Sequence, residues 1–161
     1  MPAKPVVNAS PLIYLSKGGF LDLLQLVGGE IVVPAVVADE INKRGQADPT
    51  VQALEKTAWL TILETPPVPP IIQAWDLGPG ESCVLAYAYA NPGVVAILDD
   101  LAGRRCAEAL NIAINGTLGL VLIAKRRGVV QASRPILEIL RQSGMYLSDH
   151  VMNQALALVG E

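Results

Sequence analysis

The heptapeptide VVAILDD, residues 94–100, joins five apolar residues to two aspartates and decides the fold. A short, unbroken apolar run is typical of a strand that is buried on both faces, as in a parallel sheet covered by helices. Strand-like and helical apolar patterns alternate along the rest of the chain. The sequence therefore predicts an α/β fold in which helices cover both faces of a parallel sheet.

The elements expected around this strand follow from apolar spacing and from the positions of proline and glycine. Strands are predicted at residues 6–7, 30–33, 60–63, 94–98 and 112–114. Helices are predicted at residues 11–16, 20–27, 34–44, 49–58, 81–89, 101–110, 117–127, 135–142 and 149–159. The first helix is expected to begin at Pro11 with the Ser10 hydroxyl as its cap, and the proline-rich segment 65–70 is expected to be a loop.

The overall composition limits the classes of protein to which the chain can belong. Its 161 residues predict one domain over 1–161. Apolar residues make up 52% and the mean hydropathy is +0.41, which favours a large buried sheet and a homodimer. No apolar run approaches the roughly 20 residues that cross a bilayer. Residues 1–7 lack a secretory signal, so we expect a cytoplasmic protein. The aromatic content of 4% argues against base-stacking platforms.

Oxygen-bearing side chains are expected to meet at the carboxyl edge of the sheet, where open α/β sheets bind their ligands. Asn8 ends the first strand, and Asp99 and Asp100 end the strand that precedes them. The spacing of apolar residues predicts Glu40 and Glu81 on the apolar faces of their helices. A group of carboxylates and an amide without His or Cys suits Mg²⁺ or Mn²⁺, which can activate a water for phosphodiester cleavage.

Each of these residues also has a simpler interpretation. Glu81 would complement the positive end of its helix dipole, and Glu40 would pair with Arg44 one turn further on. One of the two aspartates would cap the helix that begins at Leu101. Asn8 would be an ordinary turn residue. The coincidence of all of them at one sheet edge is what favours a metal site.

Five segments follow one another along the chain, namely VVNASPLIYL (6–15), VVPAVVADEI (32–41), GPGESCVLAYA (78–88), AILDDLAGRRCAEAL (96–110) and NGTLGLVLIAKRRG (115–128). In this order they resemble the PIN-domain superfamily, and in particular a PIN-like family of uncharacterised prokaryotic proteins related to the VapC toxins. The resemblance covers nearly the whole chain. It implies a three-layer α/β/α sandwich around a parallel sheet and a Mg²⁺- or Mn²⁺-dependent ribonuclease that acts on RNA and is controlled by an antitoxin protein.

The resemblance also implies roles for individual residues. Glu40, Glu81 and Asp99 match the acidic positions of the family, with Asp100 beside the last of them. PIN domains generally have Asp where this chain has Asn8, whose amide oxygen can coordinate a metal but supplies no negative charge.

Supporting positions follow from the same resemblance. Ser10 matches a hydroxyl that often supports the site, and Arg104 and Thr117 fall on positions typical of the narrower family.

Two functions are open from the sequence. The first is a metal-dependent endoribonuclease of the toxin–antitoxin type, with Glu40, Glu81 and Asp99 as catalytic metal ligands and Asn8 as a weaker one. The second is a non-catalytic PIN-like module that binds RNA or a protein, which the uncharged Asn8 favours. A nucleotide-binding domain ranks last because the chain lacks the glycine fingerprint of that fold.

Overall fold

The computed structural model describes residues 4–161 and contains a five-stranded sheet in which every neighbouring pair of strands is parallel. The strands are β1 (Val6–Val7), β2 (Ile31–Pro34), β3 (Leu60–Leu63), β4 (Ala96–Ile97) and β5 (Ile114–Asn115). Their spatial order is β3-β2-β1-β4-β5. The predicted parallel sheet is confirmed.

Nine α-helices occur in residues 4–161. They are α1 (Ala9–Gly18), α2 (Ala35–Asn42), α3 (Pro49–Lys56), α4 (Pro70–Gln73), α5 (Pro79–Ala90), α6 (Leu101–Ala109), α7 (Thr117–Arg126), α8 (Arg134–Gln142) and α9 (Asp149–Ala157). A 3₁₀ helix spans Leu21–Leu26. None of the helices in this part of the chain is long and apolar enough to cross a membrane.

Strands β1, β2 and β4 lie inside the molecule because they carry apolar side chains on both faces. Every residue of β1, β2 and β4 is buried, as expected for a parallel sheet with helices on both sides. The predicted three-layer α/β/α arrangement is thereby confirmed.

The order of the strands creates a crevice between β1 and β4. The chain builds β1, β2 and β3 outward on one side and then returns to place β4 and β5 on the other side. Helices that follow neighbouring strands on opposite sides of such a switch point diverge and leave a crevice at the carboxyl edge. Asn8 comes directly after β1, and Asp99 comes two residues after β4, so both lie at this edge.

The start of α1 differs from the prediction. The helix begins at Ala9, and its N-cap residue is Asn8 in an extended conformation. Ser10 therefore lies within the first turn, and the predicted capping by its hydroxyl is wrong. Pro11 fits this position because the first residues of a helix need no internal partner for their backbone N–H groups.

Other boundaries shift by a few residues. Strand β5 begins at Ile114, whereas residues 112–114 were predicted, and α5 begins at Pro79, two residues before the predicted start. The segment predicted as helix 20–27 forms the shorter 3₁₀ helix, and α4 follows the proline-rich loop without having been predicted. The expectations of a single domain over 1–161 and of no secretory signal in residues 1–7 both include residues 1–3, which lie outside the described part of the chain.

Candidate active site

Asn8 is a buried residue at the carboxyl end of β1. Its backbone N–H donates to the carbonyl of Ile97 at 2.9 Å, which fixes it beside β4, and it is only 2% exposed. Its Nδ2 donates to Glu81 Oε1 at 3.1 Å, whereas its Oδ1 is buried and accepts no hydrogen bond from any described residue. An acceptor left in this way costs about 1–3 kcal/mol unless a group from outside the chain satisfies it.

Glu40 lies on α2, close to the orphaned oxygen of Asn8. The sequence placed Glu40 on the apolar face of its helix, but it is exposed, whereas Val37 and Ile41 are buried. The predicted alternative, an ion pair with Arg44, is also wrong, because the Nε of Arg44 pairs with Asp48 Oδ2 at 2.9 Å. Among residues 4–161, the carboxylate of Glu40 has no ion pair within 4.0 Å.

Gly80 explains how Asn8 and Glu40 approach each other. A Cβ atom at this buried glycine would stand 3.0 Å from Asn8 Oδ1 and 3.2 Å from Glu40 Oε2. The absent side chain thus lets two acceptor oxygens from different segments border one narrow space, which is too tight for a methyl group unless its neighbours shift. Two acceptors without a donor between them repel each other, and a cation in this space would offset that repulsion.

Glu81 is the third residue of α5 and completes this group. It is half-buried, it accepts the hydrogen bond from Asn8, and it lies in the first turn of its helix, where a carboxylate complements the dipole. It lines a cavity with Glu40 and a second cavity with Asp99. We call Asn8, Glu40, Gly80 and Glu81 the amide arm of the site.

Asp99 is held from the other side of the crevice by the start of α7. Its Oδ1 accepts from the backbone N–H of Thr117 at 2.7 Å, and its Oδ2 accepts from the Thr117 hydroxyl at 2.7 Å. Thr117 is the first residue of α7 and is fully buried, so the carboxylate also lies at the positive end of that helix. We call Asp99, Gly116 and Thr117 the aspartate arm.

Asp100 has the capping role expected of one of the two aspartates. Its Oδ2 accepts from the backbone N–H of Gly103 at 2.7 Å, which caps α6. Ser10, Asp100 and Arg104 line the same cavity as Glu81 and Asp99. The assignments of Asp100 as a metal ligand and of Ser10 as a supporting residue stay predictions.

The two arms are joined by Glu81, so Glu40, Glu81 and Asp99 do not lie on different sides of the molecule. They do not form a compact cluster either, because residues 4–161 contain no group of three or more His, Cys, Asp or Glu side chains placed to hold a metal ion. The amide arm offers two carboxylates and one amide oxygen. Such a set suits Mg²⁺, which is often bound by one or two carboxylates and keeps several waters.

Gly80 and Gly116 were not identified as site residues from the sequence. A Cβ atom at Gly116 would stand 3.0 Å from Asp99 Oδ1 and would clash with Arg104 Nη1. The sequence feature that could have identified them is a glycine that lies directly before a helix carrying a site residue, or within the first turn of such a helix. This signal is weak because glycine is common at such positions for conformational reasons alone.

One comparison with known proteins found a family. A family model described as "DUF3368: PIN domain" matches residues 4–161, which is nearly the whole chain. The search of curated proteins found no match.

Proposed function

This chain belongs to the PIN-domain family, and we propose that it is a metal-dependent endoribonuclease of the toxin–antitoxin type. Membership indicates a nuclease-like fold, RNA binding and a general dependence on divalent metal. The finer proposal is hydrolysis of RNA phosphodiester bonds with Mg²⁺ or Mn²⁺, in which Glu40, Glu81 and Asp99 are the catalytic metal ligands and Asn8 contributes its amide oxygen.

The observation that carries the proposal is the orphaned Oδ1 of Asn8, which faces the space beside Gly80 together with a Glu40 oxygen. A hard cation would satisfy both oxygens, so the donors fit Mg²⁺ or Mn²⁺. When bound, such an ion activates a water and stabilises charge on the leaving oxygen of a phosphodiester.

The residues of the chain divide the remaining tasks. Asn8 holds Glu81 in position through its Nδ2, and Thr117 fixes both oxygens of Asp99. A carboxylate held in this way keeps further lone pairs free for a metal or for a water. Because the protein supplies few ligands, we expect weak affinity for the ion alone and tighter binding when RNA phosphate oxygens complete its coordination.

We further propose an antitoxin protein as the partner, a homodimer as the assembly and the cytoplasm as the location. Exposed apolar residues, among them Leu101 at the start of α6 and Leu158 directly after α9, support an interface with another chain. Cys83 and Cys106 are both free thiols, which fits a reducing compartment.

Cleavage of RNA with Mn²⁺ tests the enzyme. We expect Glu40→Gln and Asp99→Asn each to reduce the rate at least about 100-fold, because each removes a charge from the metal site. Glu138→Gln on the exposed face of α8 removes the same charge elsewhere and serves as the matched control. Equal rates for wild type, Glu40→Gln and Asp99→Asn would contradict the proposal.

A second candidate is a non-catalytic module that binds RNA or a protein. It is favoured by the hydrogen bond from Asn8 to Glu81, which satisfies one carboxylate oxygen without a metal. Calorimetry with Mn²⁺ separates the two functions. Absence of saturable binding at millimolar Mn²⁺, with or without RNA, supports the module, whereas saturable binding that is lost in Glu40→Gln supports the enzyme.

A further inference from the structure

Arg104, Tyr14 and Tyr146 lie around the cavity that Asp99 shares with Glu81. The cavity has a volume of about 450 Å³, enough for one nucleotide, and its wall combines the carboxylates with a guanidinium group and two aromatic rings. Two of the four tyrosines of the chain are thus placed at one cavity. This combination of lining side chains is better suited to bind a nucleic acid than to bind a metal ion alone.

Arg104 makes no salt bridge within 4.0 Å in residues 4–161, although Asp99 lies near it. By contrast, Arg44 and Arg141, two of the six other arginines, each pair with an aspartate. The Nη1 of Arg104 occupies the place where a Cβ of Gly116 would stand, and Asp99 Oδ1 lies 3.0 Å from the same point. A guanidinium group held in a cavity with unused donors is a good ligand for a phosphate oxygen.

Tyr146 is 92% exposed although the segment that carries it is anchored. Met145 and Leu147 on either side are buried, and Arg141 Nη1 donates to the carbonyl of Leu147 at 3.3 Å and to Asp149 at 2.7 Å. The backbone is therefore fixed while the aromatic ring is presented to solvent at the edge of the cavity. An exposed ring on an anchored segment offers a flat face at low entropic cost.

Tyr14 lines the same cavity from α1, one helical turn after Ser10. Its ring is half-buried against the core, so its position is set by packing. The two tyrosines and the arginine thus line the same cavity as Asp99.

We propose that this cavity binds one unstacked nucleotide of single-stranded RNA, with Arg104 on its phosphate and Tyr146 against its base. The inference rests on the proposed function, because it takes the cavity to be part of the nuclease site. Its test measures RNA binding alone and does not require cleavage. Base pairing would keep the base away from Tyr146, so double-stranded RNA binds more weakly.

The test is fluorescence anisotropy with the full chain in EDTA and a short labelled RNA of mixed sequence, either single-stranded or annealed to its complement. Tyr146→Ala weakens binding of the single strand about tenfold, as expected for the loss of one stacked base. Tyr89→Ala, which removes an exposed tyrosine away from this cavity, leaves the affinity unchanged.

The salt dependence separates the phosphate contact from the base contact. In Arg104→Gln, the slope of log K against log salt becomes shallower by about 0.7, the value for one phosphate on a single strand. Arg104→Lys restores the slope, and Tyr146→Ala leaves the slope at its wild-type value. The control is Arg105→Gln, which removes a charge from the neighbouring exposed residue and also leaves the slope at its wild-type value.

The outcomes distinguish this inference from the nuclease proposal. No binding of single-stranded RNA by the wild type, equal affinity for the duplex, or an unchanged slope in Arg104→Gln overturns the nucleotide site. If these binding effects are found but no cleavage occurs with Mn²⁺, the nucleotide site stands and only the nuclease proposal fails.

Discussion

The two arms of the site differ in how their oxygens are satisfied. In the aspartate arm, both oxygens of Asp99 accept short hydrogen bonds from one residue, Thr117. In the amide arm, Asn8 Oδ1 accepts none, and Glu40 has no ion pair within residues 4–161. One arm is complete as a structural unit, and the other is left with unused acceptors.

This difference indicates that one arm positions a ligand and the other determines how tightly a cation binds. The hydrogen bonds of Thr117 hold Asp99 in place before any ligand arrives, which reduces the cost of binding. The orphaned acceptor of the amide arm carries a cost of about 1–3 kcal/mol that a cation would remove. We therefore expect the amide arm to set the metal affinity and the aspartate arm to set the orientation of what is bound.

Substitution of the amide gives the largest expected effect. Asn8→Asp places a full charge beside the proposed cation, which is worth about 4 kcal/mol at close range near a protein surface, although repulsion from Glu40 and Glu81 cancels part of it. We therefore expect Mn²⁺ to bind about 100-fold more tightly by calorimetry, which corresponds to about 2.7 kcal/mol. Asn153→Asp adds the same charge on the exposed face of α9 and is the control.

The same variant has a second signature in the absence of metal. The new carboxylate would face Glu81 Oε1, where the amide Nδ2 now donates at 3.1 Å. Like charges at this distance lower the melting temperature, and Mn²⁺ restores it. An unchanged metal affinity together with an unchanged melting temperature would show that no cation binds at the amide arm.

Filling the space at Gly80 comes next in size. In Gly80→Ala the new methyl would meet Asn8 Oδ1 at 3.0 Å and Glu40 Oε2 at 3.2 Å, so we expect cleavage to fall about 30-fold by displacement of the metal ligands. The stability should change by no more than about 1 kcal/mol, because alanine favours the helix.

Gly119→Ala is the matched control for this substitution. Gly119 lies in the first turn of α7, and a Cβ added there would be 4.0 Å from the nearest atom, Asn115 Oδ1. It should gain the same helix propensity with full activity. If both alanine variants cleave RNA equally well, the space beside Gly80 has no part in catalysis.

The aspartate arm is weakened by a smaller change. Thr117→Val keeps the shape of the buried side chain and removes the hydroxyl that donates to Asp99 Oδ2 at 2.7 Å. We expect a loss of about 1–2 kcal/mol in the free energy of unfolding and a lower kcat, because Asp99 then varies in orientation. Thr117→Ser should recover both, and a Thr117→Val enzyme with unchanged kcat would remove the positioning role.

The fold and the outline of the site follow from sequence because both depend on local patterns. The apolar runs of β1, β2 and β4 are short and continuous, which identifies buried parallel strands. Parallel strands place the residues that follow them at one edge, so Asn8 and Asp99 could be assigned to that edge without coordinates.

What the sequence did not provide depends on contacts between distant segments. The hydrogen bonds of Thr117 to Asp99 span 18 residues, and the bond from Asn8 to Glu81 spans 73. The low aromatic content of the chain also concealed the placement of Tyr14 and Tyr146 at one cavity, because composition carries no information about position.

The exposure of Glu40 was missed for a related reason. Helical spacing places it on the same face as Val37, but α2 ends at Asn42 and its face is only partly covered. The tertiary surroundings decide whether a residue at the border of an apolar face is buried.

Asp48 provides the smallest effect and a reference for a carboxylate with a purely structural role. It caps α3 by accepting from the backbone N–H of Thr50 at 2.8 Å and pairs with Arg44. Burial acts to raise the pKa of Asp48, but these hydrogen bonds and the charge of Arg44 outweigh it and lower the pKa below its ordinary value of 3.8. The stabilisation is therefore present above pH 3.8 and is lost as the pH falls through the lowered pKa.

Denaturant unfolding across this pH range checks the assignment of Asp48. Asp48→Ala should cost about 1 kcal/mol above pH 5 through the lost cap and should leave RNA cleavage unchanged, in contrast to Asp99→Asn. Asp48→Asn keeps an oxygen at the cap and loses only the charge, so it should retain most of the stability and lose its dependence on pH. A fall in cleavage for either variant would show that α3, and with it the ion pair of Arg44, contributes to holding the amide arm in place.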